Sequence, residues 1–246
     1  MAKKRKRNHN SYHEREAPAA APSPVYTDLK PPDIEGAHLY IDPNHIPWDI
    51  EPKIADHAAA AKPDGKLIML DCFAGIGGNA IAFALSGAYK RVYAIEKNLA
   101  ALECARHNAR IYGVHDQITF FHGDCFEILG LDENKQSGKI ESLAQVVSKA
   151  GIIFGSPPWG GPGYKAAGSS FDLNGNGMPY SLEYMHSRFS TVTKDMILYL
   201  PRTSDLNQIA DCVERNEKAQ IMHYCIYENS KALCAYLGSW KKISLA

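Results

Sequence analysis

Apolar residues fall in short blocks along this chain, separated by polar stretches with helical spacing. Lys66-Leu67-Ile68-Met69-Leu70-Asp71 is an apolar run closed by an acid, which reads as a strand buried on both faces. Arg91-Val92-Tyr93-Ala94-Ile95-Glu96 repeats the pattern, and Ile118 to Phe121, Gly151 to Gly155 and Met196 to Leu200 supply three more strands. Between them, Leu99 to Tyr112 carries Leu102, Ala105, Ala109 and Tyr112 at helical spacing. Further helices are expected over Asn79 to Ser86, near Ile140 to Ala150 and near Leu182 to Thr193. Two more strands are expected near Gln220 to Tyr227 and Lys231 to Leu237. Upstream, Glu51 to Ala61 reads as a helix with Pro52 in its first turn and Asp49 as its N-cap. Strands alternating with helices predict an α/β fold, a doubly wound, mostly parallel Rossmann-like sheet with a short N-terminal helical extension. Ligands in such sheets bind at the carboxyl ends of the strands. Asp71, Glu96 and the Gly155-Ser156-Pro157 turn all stand at that edge.

The periodic part begins late. Residues 1–35 run from the basic cluster Lys3-Lys4-Arg5-Lys6-Arg7 to a Pro/Ala-rich stretch with little to bury, so a tail without regular structure is expected. Residues 36–64 form a short extension, and 65–246 the main domain. The chain has 27 basic and 27 acidic residues, so its net charge does not announce a polyanionic partner. A nucleic-acid surface would have to be local, and the basic cluster suits nuclear import. Six cysteines are scattered without C-x-x-C pairs, so neither zinc nor a disulfide framework is expected. No apolar run approaches the ~20 residues of a membrane span.

Candidate chemistry starts at Asp71-Cys72-Phe73-Ala74-Gly75-Ile76-Gly77-Gly78-Asn79. A glycine-rich turn between strand and helix lets a ligand approach the backbone closely. A dinucleotide site would favour G-x-G-x-x-G and would not want a carboxylate beside its pyrophosphate. A sulfonium cofactor with an α-ammonium group does want one, because the charges are opposite. The pattern therefore points to S-adenosylmethionine, with Asp71, Phe73, Ala74, Gly75, Gly77 and Asn79 as candidate contacts. Glu96 can accept from the ribose hydroxyls. Asp124, with Cys125 beside it, can accept from the adenine amine or cap the next helix, and both roles can coexist.

The second motif is Ser156-Pro157-Pro158-Trp159-Gly160-Gly161-Pro162-Gly163-Tyr164. Two prolines stiffen the turn and remove its backbone donors, so it presents carbonyl oxygens. Those acceptors and Ser156 suit an exocyclic amine, and Trp159 can stack on a flat base. The catalytic candidates are therefore Ser156, Pro157, Pro158 and Trp159, with Ser156 also beside the cofactor. No strong general base is evident, and alignment of the amine with a methyl donor supplies the rest of the rate.

Taken together, these motifs resemble the trimethylguanosine synthases. The match includes His107-Asn108-Ala109 with Tyr112-Gly113, Gly123-Asp124, Phe171-Asp172-Leu173 and Leu200-Pro201-Arg202, and spans about residues 65–240. The resemblance implies a methyltransferase that uses S-adenosylmethionine to methylate the exocyclic N2 of 7-methylguanosine caps on small nuclear and nucleolar RNAs, in the nucleus or nucleolus. It implies that Trp159 stacks on the cap base, with Arg202 near the cap phosphates. It also implies a capped RNA partner, no metal and no membrane, and a monomer is expected. Two departures stand out. The family's Trp-x-Gln-Arg segment is absent and Asp49-Ile50-Glu51-Pro52 replaces its Thr-Pro-Glu, so Tyr40 and Trp48 become candidates for the second wall of the cap pocket, with core packing as the competing role. Glu96 stands where Asp is usual. Two rival readings are an adenine-N6 or glutamine-amide methyltransferase with a related Pro-Pro-aromatic loop, and an RNA-binding module without catalysis.

Overall fold

The computed structural model describes residues 50–132, 139–159, 170–175, 180–214, 217, 219–226 and 229–243, and the backbone of 26–27 and 39–40. After the short strands β1 (Tyr26–Thr27) and β2 (Leu39–Tyr40), its centre is a seven-stranded sheet. In chain order the strands are β3 (Ile68–Asp71), β4 (Arg91–Glu96), β5 (Ile118–His122), β6 (Gly151–Gly155), β7 (Met196–Leu200), β8 (Gln220–Ile226) and β9 (Asn229–Leu237). They lie in the order β5-β4-β3-β6-β7-β9-β8. The first five are parallel, and β9 runs antiparallel to β7 and β8. The chain winds outward from β3 to β5, then returns to place β6 on the other side of β3. The winding reverses between β3 and β6, whose carboxyl ends are where ligands bind in such sheets. Register brings Asp71 level with Ala94 on one side and Phe154 on the other.

Helices cover both faces: α1 (Glu51–Ala61), α2 (Gly78–Leu85), α3 (Leu99–Ile111), α4 (Cys125–Ile128), α5 (Glu141–Ala150), α6 (Leu182–Phe189) and α7 (Leu206–Ala210). Two apolar layers result. One joins Ile54 and Ala58 of α1 to Ile81 and Phe83 of α2 and to Met69, Val92 and Ile152 of the sheet. The other joins Phe126, Val147, Met185 and Phe189 to Leu70, Ile153 and Leu198. Successive side chains of β3 and β6 thus enter opposite layers, which is why these strands read as unbroken apolar runs.

Several boundaries differ from the sequence reading by a residue or more. The helix expected to run to Thr193 ends at Phe189, because Ser190 to Val192 turn back to meet β7. The N-cap position of α1 is Ile50, with no side-chain hydrogen bond, in place of Asp49. The helix is held instead by burial of Ile50, Ile54 and Ala58 against α2. Tyr26–Thr27 pairs antiparallel with Leu39–Tyr40, so those four positions, two of them within the expected tail, carry extended backbone. Helix α4, expected only as the helix that Asp124 would cap, has four residues, and the short helix α7 has no counterpart in the sequence reading.

Candidate functional site

The glycine turn is tied to the strands on either side of β3. Cys72 N–H donates to Phe154 O at 2.9 Å and Ala74 N–H to Ile95 O at 2.9 Å. Asp71 is fully buried at the end of β3, and its Oδ1 accepts from Phe73 N–H at 3.2 Å. Asn108, buried on α3, donates from Nδ2 to Ile76 O at 3.0 Å and braces the turn from below. Gly75 and Gly77 have φ of +53° and +93°. The two glycines serve different ends. A Cβ on Gly77 would lie 3.0 Å from Ala105 Cβ, so helix packing requires its absence. A Cβ on Gly75 would meet nothing within 4 Å, so the turn leaves open space at that point.

Glu96 is more engaged than expected. Its Oε2 accepts from Gly75 N–H at 2.8 Å and its Oε1 from Asn98 N–H at 2.7 Å. Each carboxylate oxygen retains acceptor capacity for a hydroxyl. The carboxylate therefore shapes the turn from the end of β4. Asp124 shows the capping role directly, with Oδ1 accepting from Phe126 N–H at 2.9 Å. Its Oδ2 accepts from Tyr180 Oη at 2.5 Å and from Lys97 Nζ at 3.2 Å. Burial works to raise this carboxyl, but the bonds from Tyr180, Phe126 and Lys97 outweigh it and hold Asp124 below the usual carboxylate range. Cys125 is buried against Cys72.

Ser156, Pro157, Pro158 and Trp159 continue directly from β6. Ser156 Oγ reaches Phe73 O at 3.4 Å, which links the two motifs. Pro157 is buried and Pro158 exposed. Trp159 is half-buried, donating from Nε1 to Tyr199 O at 2.9 Å and packing edge-on against Phe171, with ring centroids 6.1 Å apart. Arg202 follows β7, exposed, with Nη1 on Ser230 O at 3.3 Å. Tyr40 is described only as backbone, in β2 (Leu39–Tyr40) beside α3. Trp48 and Gly160 to Tyr164 lie outside the described residues.

Two residues at this edge escaped the sequence reading, Lys97 and Tyr180. Tyr180 stacks on Tyr184 and packs against Phe126 and Phe73. An aromatic just before the helix cap Ser181 was the available signal. Among the described residues no group of three His, Cys, Asp or Glu side chains could hold a metal, and no helix is long and apolar enough to cross a membrane.

These residues suit S-adenosylmethionine. Asn79 Oδ1 is buried at the start of α2 without a hydrogen-bond partner, beside the open space at Gly75. Acids close β3 and β4, and a helix-capping acid follows β5. Fold and site together are those of the S-adenosylmethionine-dependent methyltransferase class. The fold also matches a Listeria monocytogenes protein proposed to be of that class, with a TM-score of 0.50 at 16% identity, over 84% of this chain and 64% of that one.

Residues 66–240 match the model of the RNA cap guanine-N2 methyltransferases, and the chain belongs to that family. It is 34% identical to the trimethylguanosine synthase of Saccharomyces cerevisiae over 72% of this chain and 53% of the relative. It is 30% identical to that of Schizosaccharomyces pombe, over 70% and 65% respectively. The matched region thus spans between half and two thirds of the length of these curated relatives.

Proposed function

We propose that the chain methylates the exocyclic N2 of 7-methylguanosine at the cap of small RNAs, giving 2,7-di- and 2,2,7-trimethylguanosine. The observation that carries this reading is the placement of Trp159. Its indole is pinned by Tyr199 and Phe171 beside an acceptor-rich turn that Ser156 ties to the cofactor loop. A 7-methylated guanine is cationic, so stacking on indole adds a cation–π contribution of about 0.5–2 kcal/mol.

S-adenosylmethionine, when bound, supplies an electrophilic methyl group. The chain's own residues do the rest. Asp71 and Asn79 would hold the cofactor's amino-acid end, Glu96 its ribose and Asp124 its adenine. Ser156 and the carbonyls of the Pro157-Pro158 turn accept from the amine and favour a pyramidal N2, whose lone pair then points at the methyl carbon. The displaced N–H proton passes to water, so no strong base is required. Trp159 fixes the plane of the base, and this alignment supplies most of the acceleration. Arg202 would meet cap phosphate. The basic run Lys3 to Arg7 fits nuclear import.

The test is transfer from labelled S-adenosylmethionine to a 7-methylguanosine cap analogue, an unmethylated cap analogue and an adenine-containing oligonucleotide. Transfer to the first alone is expected, with Trp159→Ala lowering kcat/KM by about 100-fold or more. Transfer to the oligonucleotide instead would overturn the cap reading.

A further inference from the structure

Asp124 sits in a crowded setting for a residue that has to read a ligand. A carboxylate offers about four acceptor positions. On Asp124, Phe126 N–H takes one on Oδ1, while Tyr180 Oη and Lys97 Nζ share Oδ2. That leaves acceptor capacity mainly on Oδ1. The carboxylate can present it in a constant direction only if its terminal torsion is held, since that torsion is intrinsically broad.

The two partners on Oδ2 are unequal. Lys97 is 74% exposed, and an ion pair so exposed restrains little. Tyr180 makes a short hydroxyl–carboxylate bond, and its ring is fixed by stacking on Tyr184 at 13° and by Phe126 at 4.6 Å. The same ring reaches Phe73, in the cofactor turn, at 6.2 Å. Tyr180 is therefore rigid where Lys97 is not, and it touches both the acceptor and the wall of one pocket.

We infer that Tyr180 is a positioning residue of the cofactor site: it locks the Asp124 carboxylate so that Oδ1 can accept from the exocyclic amine of adenine, and its ring closes the pocket beside Phe73. The inference rests on the reading of Asp124 as the adenine acceptor. It makes selection for adenine depend on a hydroxyl contributed from 56 positions further along the chain.

The experiment is calorimetry on the full chain with S-adenosylhomocysteine and with S-inosylhomocysteine, in which a carbonyl replaces the amine. The wild-type protein is expected to favour the adenine ligand by about tenfold or more. Tyr180→Phe keeps the ring and removes one oxygen, and it should cut that preference by about fivefold while changing S-inosylhomocysteine affinity less than twofold. In an Asp124→Asn background the same change should have no further effect on the preference. Lys97→Met should leave the preference within twofold of wild type. An unchanged preference in Tyr180→Phe overturns the inference, as does its collapse in Lys97→Met alone. No preference in the wild-type protein overturns the prior reading of Asp124. Circular dichroism of each variant separates these outcomes from misfolding.

Discussion

At the scale of single residues, the cofactor turn separates two demands that look alike in sequence. Gly75 and Gly77 both have positive φ, a conformation that costs other residues about 1–2 kcal/mol. Only Gly77 also lacks room, with Ala105 Cα 3.2 Å and Ile81 Cδ1 3.3 Å from the position a Cβ would take. Overpacking adds about 1–3 kcal/mol. Gly77→Ala should therefore destabilise the fold by about 2–5 kcal/mol, read from urea denaturation. Gly75→Ala should cost about 1 kcal/mol of stability. Its new methyl enters the space left for the cofactor, so its larger effect should be on S-adenosylhomocysteine affinity in calorimetry. If the two variants lose stability equally, the packing distinction is wrong.

At the scale of elements, the middle of the sheet was legible because β3, β6 and β7 are buried on both faces and read as continuous apolar runs. The strands over Arg91 to Glu96, Gly151 to Gly155 and Met196 to Leu200 coincide with those observed. Less legible were elements whose stability is not periodic. Helix α4 has four residues and exists through its Asp124 cap and the burial of Phe126, and too short a pattern gives no period to read. The Tyr180–Asp124 bond and the backbone donors on Glu96 also escaped notice, because contacts made only on folding leave no local spacing. The same holds at the opposite edge of the sheet. There Asp195, 6% exposed, accepts from Lys66 Nζ at 2.9 Å and from Ser239 N–H at 2.7 Å, joining the start of β3 to the end of β9. Asp195→Ala leaves the shielded Lys66 ammonium without a countercharge, held by Gly151 O and Thr193 Oγ1, and removes the acceptor of Ser239 N–H, so it should destabilise by about 3 kcal/mol. Asp195→Asn keeps an oxygen for Ser239 N–H and should lose less. Equal losses in thermal unfolding would show that the Ser239 bond contributes nothing.

At the scale of the whole molecule, the strand ends divide the labour. The carboxyl edge gathers Asp71, Glu96, Asp124 and Ser156, while the amino edge is closed by ion pairs and packing. His186 of α6 belongs to the closed side, in a small cavity with Ser190, Lys194, Cys212 and Glu217. Burial pushes its imidazole below the ordinary value of 6.5, Lys194 pushes the same way, and Glu217 opposes them. The folded protein thus resists protonating a group that the unfolded chain protonates readily. Stability is full above pH 6.5 and falls as the pH drops from there to the folded-state value, because the unfolded state binds more protons in that window. One proton limits the slope to about 1.4 kcal/mol per pH unit. The carboxylates held low, Asp64, Asp124, Asp172 and Glu214, contribute only as the pH falls toward their ordinary values of 3.8 for Asp and 4.5 for Glu, below where the His186 decline begins. Urea denaturation at pH 7.5, 6 and 5 should show stability declining across this range. His186→Gln, which keeps a polar side chain beside Ser190 without a titrating proton, should flatten the decline. If the variant retains the wild-type slope, the acid sensitivity originates in another group and the closed edge of the sheet is not its source.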